Sequence, residues 1–319
     1  MRRLCFFLLI IIVLACFCSC ELSYQAPAVG KMRILVYGNN YMYGTFNPVL
    51  NEYTSVVLNG DLTDSGRVAK NLSKTVNDAQ QVGRALSTLA KKAGLEYEVV
   101  YLTSVSEVTD ARLVSELQGL AALASENDIT IIYYSGHGFG VKAKLPYDYD
   151  TSTCSYLVPR SSERPDSCVL FPVSTFLDLV NDIKGVKVVI GDCCYSGSLV
   201  QSNNFSVTSG EYKLLGPDTL FFKYRDDISE SSSLFCLSAS RYYELSYENT
   251  PNHGNFTNAF LEALGWDEEN QCLTDSPVEK DGRITLSAIA GYTIAHDGKS
   301  EQNPMVSGGS NDIILFSFR

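Results

Sequence analysis

Short apolar runs alternate with amphipathic stretches along most of this 319-residue chain. Six runs are short and rich in β-branched or aromatic residues, and they predict strands: residues 33–37, 97–102, 129–134, 186–190, 233–237 and 312–318. Four stretches carry apolar residues at helical spacing and predict helices: residues 76–93, 111–124, 173–183 and 286–295. The alternation indicates an α/β fold, a three-layer αβα sandwich around a mostly parallel six-stranded sheet.

Two longer polar regions interrupt this pattern. Residues 39–74 are rich in Asn, Gly and Thr, and residues 196–232 are mostly polar, which are both compositions of exposed loops. The strand pattern resumes directly after each region, so neither is typical of a domain linker. Residues 32–319 are therefore predicted to form a single domain.

Reactive side chains follow two of the predicted strands. Residues 135–138 (SGHG) come directly after the third strand, and residues 191–197 (GDCCYSG) come after the fourth. Because sites in parallel sheets form beyond the carboxyl ends of the strands, both segments are expected at one edge of the sheet.

His137 and Cys194 are the candidate catalytic pair. A cysteine nucleophile reacts as the thiolate, and a nearby imidazole generates it by accepting the proton. His137 alone of the three histidines lies between two glycines, which allow a sharp turn and close approach of a substrate. The alternatives are a histidine satisfied in a turn and a cysteine that only fills the core, and the second is our interpretation of Cys193. His253 is interpreted as support for a helix start near Asn255.

Other cysteine chemistries fit this segment less well. A cysteine phosphatase loop requires an arginine six residues after the nucleophile, where this chain has Val200. The adjacent Cys193 and Cys194 are too close together for the paired spacing of a zinc site.

The two reactive segments resemble the motifs of a known family. YYSGHG at residues 133–138 and DCCYSG at residues 192–197 resemble the His and Cys motifs of caspase-like peptidases, including metacaspases and their bacterial relatives. VNDA at 76–79 and HGNFT at 253–257 are further similar segments, and the resemblance spans residues 32–318. The QAC[RQG]G signature of true caspases is absent. The resemblance implies a caspase-like fold and a cysteine endopeptidase that forms an acyl-enzyme.

The resemblance also implies roles for residues beside the pair. Asp192 and Ser135 are expected to line the pocket for the residue before the scissile bond. A carboxylate there favours Arg or Lys and repels Asp, although Asp192 has the alternative of capping a backbone group. The backbone N–H groups of Gly138 and Cys194 are expected to hold the oxyanion.

The resemblance also implies two properties that are common in metacaspase-like enzymes, calcium dependence and self-cleavage. No cofactor is expected other than calcium, for which Asp148, Asp150 and Asp166 are the candidate carboxylates, although their spacing is not that of an EF-hand. Candidate self-cleavage sites in the polar loop after the nucleophile are Lys213, Lys223 and Arg225.

The amino terminus indicates export. Arg2 and Arg3 precede an apolar run over residues 4–17, which is too short for an ordinary membrane-spanning helix. We predict a signal segment over residues 1–20, with a short membrane anchor as the alternative. The sequence around Cys16 resembles a bacterial lipobox, and Cys20 is a looser match, so either a lipoprotein tethered to a membrane or a secreted protein is expected.

Charge and cysteine content narrow the partners. The formal net charge of −11 and the pI near 4.8 disfavour a nucleic-acid binder, which normally carries a basic surface. Six cysteines follow the signal, and Cys154 and Cys168 flank a polar loop that a disulfide would close. The expected partners are peptides or proteins with Arg or Lys at the cleavage site. The alternatives are an inactive exported caspase-like scaffold and a transpeptidase with the same pair.

Overall fold

The structure, a computed structural model, describes residues 30–60, 62–140, 155–202, 234–298, 301–307 and 313–318. The predicted signal segment, the two lipidation candidates, Cys154, Asp148 and Asp150 lie outside the described residues, as do the three self-cleavage candidates. Export, lipidation and self-cleavage therefore stay predictions. Within the described residues, no helix is long and apolar enough to cross a membrane.

Six strands form the central sheet, and five of them are parallel. In spatial order they are β16 (Met305–Ser307), β12 (Leu234–Ser238), β11 (Val186–Asp192), β6 (Ile129–Ser135), β1 (Met32–Gly38) and β5 (Tyr97–Leu102). Only β16 runs antiparallel to its neighbour. This sheet confirms the predicted fold class, since parallel strands joined through helices must be covered on both faces.

Helices cover both faces of this sheet. The described helices are α1 (Thr75–Lys92), α2 (Asp110–Leu123), α3 (Val173–Asn181), α4 (Gly197–Ser202), α5 (Asn255–Ala263) and α6 (Leu286–His296). Side chains of β1 alternate between the two cores, because successive residues of a strand face opposite ways. Ile34 packs with α1, α5 and α6, whereas Leu35 packs with α2 and α3.

Shorter strands build small sheets outside the central sheet. They are β2 (Thr45–Asn47), β3 (Glu52–Leu58), β4 (Asp64–Lys70), β7 (Gly138–Gly140), β8 (Ser155–Leu157), β9 (Ser167–Val169), β10 (Phe171–Pro172), β13 (Trp266–Asp267), β14 (Cys272–Leu273), β15 (Arg283–Thr285) and β17 (Ile314–Ser317). β2, β3 and β4 form an antiparallel meander, and β9 adds to β3. Residues 39–74 are thus not the irregular loop that their composition indicates. These strands leave no apolar alternation in the sequence, because β2 and most of β4 are exposed to solvent.

The sixth strand of the central sheet is not the predicted one. The run at 312–318 does form a strand, but β17 pairs with β15 in a separate two-stranded sheet. The edge position belongs to β16, which is three residues long and too short to leave a periodic signal. An apolar run predicts a strand without stating which partner it will bind.

Candidate active site

The two central strands bring the predicted pair to one edge. β6 and β11 are neighbours in parallel register, and Ser135 at the end of β6 is paired with Asp192 at the end of β11. His137 and Cys194 each follow two residues later, so the register places both just beyond the carboxyl edge of the sheet.

The imidazole of His137 is oriented by a backbone carbonyl. Its Nε2 lies 2.7 Å from the carbonyl oxygen of Lys70, the last residue of β4. A carbonyl only accepts, so Nε2 carries the proton and Nδ1 is left unprotonated and basic. Burial lowers the pKa of His137, partly offset by the Lys70 carbonyl, and the neutral ring is the form a general base requires.

The Cys194 thiol lies against the segment that follows β12. The backbone N–H of Ser246 donates to its Sγ at 3.4 Å, and the Ser246 carbonyl lies 3.8 Å from it. Burial raises the pKa of Cys194, and the charges of Asp192 and Glu248 add to the rise. Near neutral pH, the thiol of Cys194 and the imidazole of His137 are therefore both uncharged. Cys193, by contrast, is fully buried in the core.

A tight turn follows the candidate nucleophile. Tyr195 has a φ of 60°, a left-handed backbone conformation that residues other than glycine rarely adopt. Its N–H donates to the Glu244 carbonyl at 2.8 Å. A Cβ on Gly138 would lie 1.9 Å from the Cys194 carbonyl oxygen. The structure thus brings together Gly138 and Cys194, the two residues predicted to supply the oxyanion N–H groups. That role stays a prediction.

Asp192 is buried, and both of its carboxylate oxygens accept hydrogen bonds. Ser246 donates its hydroxyl to Oδ1 at 2.7 Å, while Thr257 donates its hydroxyl at 2.6 Å and its N–H at 3.3 Å to Oδ2. Burial raises the pKa of Asp192, against the bonds from Thr257 and Ser246. The carboxylate therefore caps the first turn of α5, which agrees with the alternative that Asp192 caps a backbone group. Asp192 also lies two residues before Cys194 in the chain.

Ser135 is buried and is directed away from open solvent. Its hydroxyl donates to Asp78 Oδ2 at 3.1 Å, and Asp78 Oδ1 lies 2.8 Å from His253 Nδ1. The other ring nitrogen of His253 lies 3.0 Å from Glu268 Oε2. Burial raises the pKa of Asp78 to about 7, although the bond from His253 opposes the rise. Ser135 is thus joined to a buried cluster of charged groups behind the site.

Two groups at this site escape sequence reasoning. The Lys70 carbonyl has no sequence signal, because every residue carries one. Glu248 follows Ser246 by two residues, and its Oε1 is buried without a hydrogen-bond partner in the described part of the chain. Burial raises the pKa of Glu248, and the charge of Asp192 adds to the rise. The residue type of Glu248 alone gives no sign that the fold will half-bury it where its charge raises the pKa of Cys194.

The structure does not assemble a metal site from the residues it describes. Asp166 is exposed, and no group of three His, Cys, Asp or Glu side chains in the described ranges is placed to hold a metal ion. The calcium expectation depends on Asp148 and Asp150 and stays a prediction.

The sheet order, the covered faces and the His–Cys edge define a caspase-like α/β sandwich. The sequence matches the caspase domain (Peptidase_C14) over residues 56–307, and the chain belongs to this family. Membership supports a cysteine peptidase, although the family also includes inactive members.

Comparison with other proteins supports the fold alone. A search of curated proteins finds no match. The fold is similar to the crystal structure of protein GSU0716 from Geobacter sulfurreducens, with a TM-score of 0.51 and 15% sequence identity, covering 88% of this chain and 95% of that one.

Proposed function

We propose that this protein is a cysteine endopeptidase that cleaves after Arg or Lys through the pair Cys194 and His137. One observation carries the proposal: parallel neighbouring strands in register present both residues at one edge, with the basic Nδ1 of His137 left free by the Lys70 carbonyl. A histidine that served only a structural turn would have no need for this orientation.

The reaction follows from these groups. His137 Nδ1 accepts the thiol proton as the Cys194 sulfur attacks the peptide carbonyl, and the developing oxyanion is held by backbone N–H groups at Gly138 and Cys194. The imidazolium then donates its proton to the leaving amine, which departs and leaves an acyl-enzyme. Water attacks the acyl carbon with His137 as base, and the acid product leaves the free thiol.

Carboxylates beside the thiol support a basic substrate. Asp192 has used three of about four acceptor sites, whereas Oε1 of Glu248 has used none. A guanidinium carries five N–H donors and pairs with carboxylates through two parallel hydrogen bonds. A bound cation also offsets the two charges that raise the pKa of Cys194, so a basic substrate favours the thiolate that attacks it.

The test is a fluorogenic peptide panel with Arg, Lys, Asp or Asn before the cut. We expect cleavage after Arg and Lys, reduced below about 1% in Cys194→Ala because no other group supplies the nucleophile. Cys193→Ala is the matched control, since the adjacent cysteine is buried in the core, and it should retain activity within about threefold. Equal turnover in Cys194→Ala contradicts the proposal, and preference for Asp contradicts the acidic pocket.

Glu248→Gln tests the pocket separately from the fold. Substitution of Asp192 perturbs both the pocket and the cap of α5. Glu248 Oε1 has no partner among the described residues, and glutamine keeps an oxygen that can accept the Ser73 N–H, which now meets Oε2 at 3.4 Å. We expect kcat/KM for Arg peptides to fall about tenfold or more, with Glu262→Gln on the exposed face of α5 unchanged. Adding calcium or an acceptor amine to the same assay tests metal dependence and transfer of the acyl group to an amine.

A further inference from the structure

A buried tyrosine hydroxyl contacts the backbone of the candidate base. Tyr41 follows β1 and is fully buried, with φ of 59°. Its hydroxyl accepts the N–H of His137 at 2.8 Å and donates to the Val158 carbonyl at 2.8 Å. Burial raises the pKa of Tyr41 well above its ordinary value, so the hydroxyl keeps the proton that it donates.

The same tyrosine packs on the imidazole itself. The ring centroids of Tyr41 and His137 are 4.4 Å apart and inclined by 49°. A second tyrosine holds the next peptide unit, because Tyr134 donates its hydroxyl to the His137 carbonyl at 2.9 Å. The backbone N–H, the backbone carbonyl and the ring face of His137 are therefore all fixed by tyrosine side chains.

The glycine before the base fits this arrangement. A Cβ on Gly136 would lie 3.0 Å from the hydroxyl oxygen of Tyr41 and 3.1 Å from that of Tyr134. Any larger residue would press against both hydroxyls. Contact with the two tyrosines therefore explains why glycine stands at position 136.

We propose that Tyr41 is a positioning residue for His137, whose hydroxyl and ring hold the imidazole in the tautomer and direction that the Lys70 carbonyl selects. The proposal rests on the peptidase function proposed above. Loss of the hydroxyl frees the His137 peptide unit, and the ring then departs from the line between Nε2 and the Lys70 carbonyl. Tyr41 contacts the proposed catalytic pair at His137, so its effect reaches the reaction through that residue.

Tyr41→Phe tests this with Tyr37→Phe as the matched control. Tyr37 is equally buried, and its hydroxyl donates to the Val108 carbonyl at 2.9 Å, away from the His137 peptide unit. Both variants lose one buried hydroxyl and should lose similar stability. We expect kcat to fall about tenfold or more in Tyr41→Phe with KM unchanged, and to stay within about twofold in Tyr37→Phe. Equal kcat in the two variants overturns the proposal.

A second readout needs no turnover. Nitrogen-15 NMR of the His137 ring should show the Nε2–H tautomer in the wild-type protein and a mixture of tautomers in Tyr41→Phe. An Nδ1–H tautomer in the wild-type protein, or the same pure tautomer in both, overturns the positioning role. If the wild-type protein cleaves no peptide while the tautomers differ as expected, the peptidase proposal fails and the positioning role stands.

Discussion

At the scale of single residues, the two halves of the site meet through backbone atoms. Gly138, one residue after the base, packs its Cα against the carbonyl of Cys194 so closely that no side chain fits between them. The contact explains why glycine follows His137, since only a residue without Cβ allows this approach.

Gly138→Ala should therefore abolish the proposed peptidase activity. The added Cβ, 1.9 Å from the Cys194 carbonyl oxygen, displaces the nucleophile, and misplacement of about 1 Å costs on the order of 100-fold in kcat/KM. Gly119→Ala is the control, because a Cβ there meets nothing within 4 Å and helix α2 tolerates alanine. Peptide turnover and thermal unfolding of both variants check this, and an active Gly138→Ala protein would show that the contact is not needed.

At the same scale, the sequence predicts only part of the site. His137 and Cys194 follow from residue type and position after a strand. Ser246, Glu248 and the Lys70 carbonyl do not, because a polar loop residue and a backbone oxygen give no signal until the fold brings them to the thiol and the imidazole.

At the scale of elements, His253 joins three of them. Its ring lies between Asp78 on α1 and Glu268 after β13, and the residue itself lies two positions before the start of α5. The sequence interpretation expected support for that helix start, and the structure adds the two carboxylates. When both carboxyl groups are ionised they only accept, so both ring nitrogens donate and the imidazole is charged.

Stability should fall with rising pH because of this histidine. Burial works to lower the pKa of His253, but the bonds and charges of Asp78 and Glu268 outweigh it and raise that pKa, and Asp192 nearby is a further negative charge. In the unfolded chain, the His253 side chain releases its proton near its ordinary pKa of about 6.5. The stabilisation is therefore complete below that pH and is lost as pH rises through the raised pKa of the folded protein.

Chemical denaturation of His253→Gln between pH 6 and 9 measures this effect. The variant should be about 2 kcal/mol less stable than wild type at pH 6, because the ring loses its hydrogen bonds to Asp78 and Glu268, and the gap should narrow towards pH 9. His296→Gln, on the exposed end of α6, should stay within about 0.5 kcal/mol. A gap that widens with pH would contradict the charged assignment.

At the scale of the whole molecule, one sheet separates two cores. Phe176 on α3 belongs to one of them, and Trp266, the single tryptophan of the chain, belongs to the other. Trp266 donates its ring N–H to Gln81 at 3.1 Å and is nearly buried, so its fluorescence reports on its own face of the sheet.

Phe176→Ala tests whether the two cores unfold together. The substitution should cost about 3–5 kcal/mol by opening a cavity. Because both cores share the central strands, the midpoints of Trp266 fluorescence and of circular dichroism should shift by the same amount, as for one cooperative domain. Val49→Ala, on an exposed turn, should shift neither. A shift in circular dichroism alone would indicate two independent units.

The sequence by itself determined the long elements and the edge of the sheet at which the candidate pair lies. Buried strands and amphipathic helices leave periodic signals in the sequence. Because parallel strands end on one side of a sheet, the sequence pattern alone predicts that His137 and Cys194 lie at that edge. The tertiary structure decided the rest: the edge strand β16, the meander that positions the Lys70 carbonyl, the burial of Asp192 and the partial burial of Glu248. These depend on partners far away in the chain, and pairing, burial and backbone contacts are set by three-dimensional packing, which a local pattern does not encode.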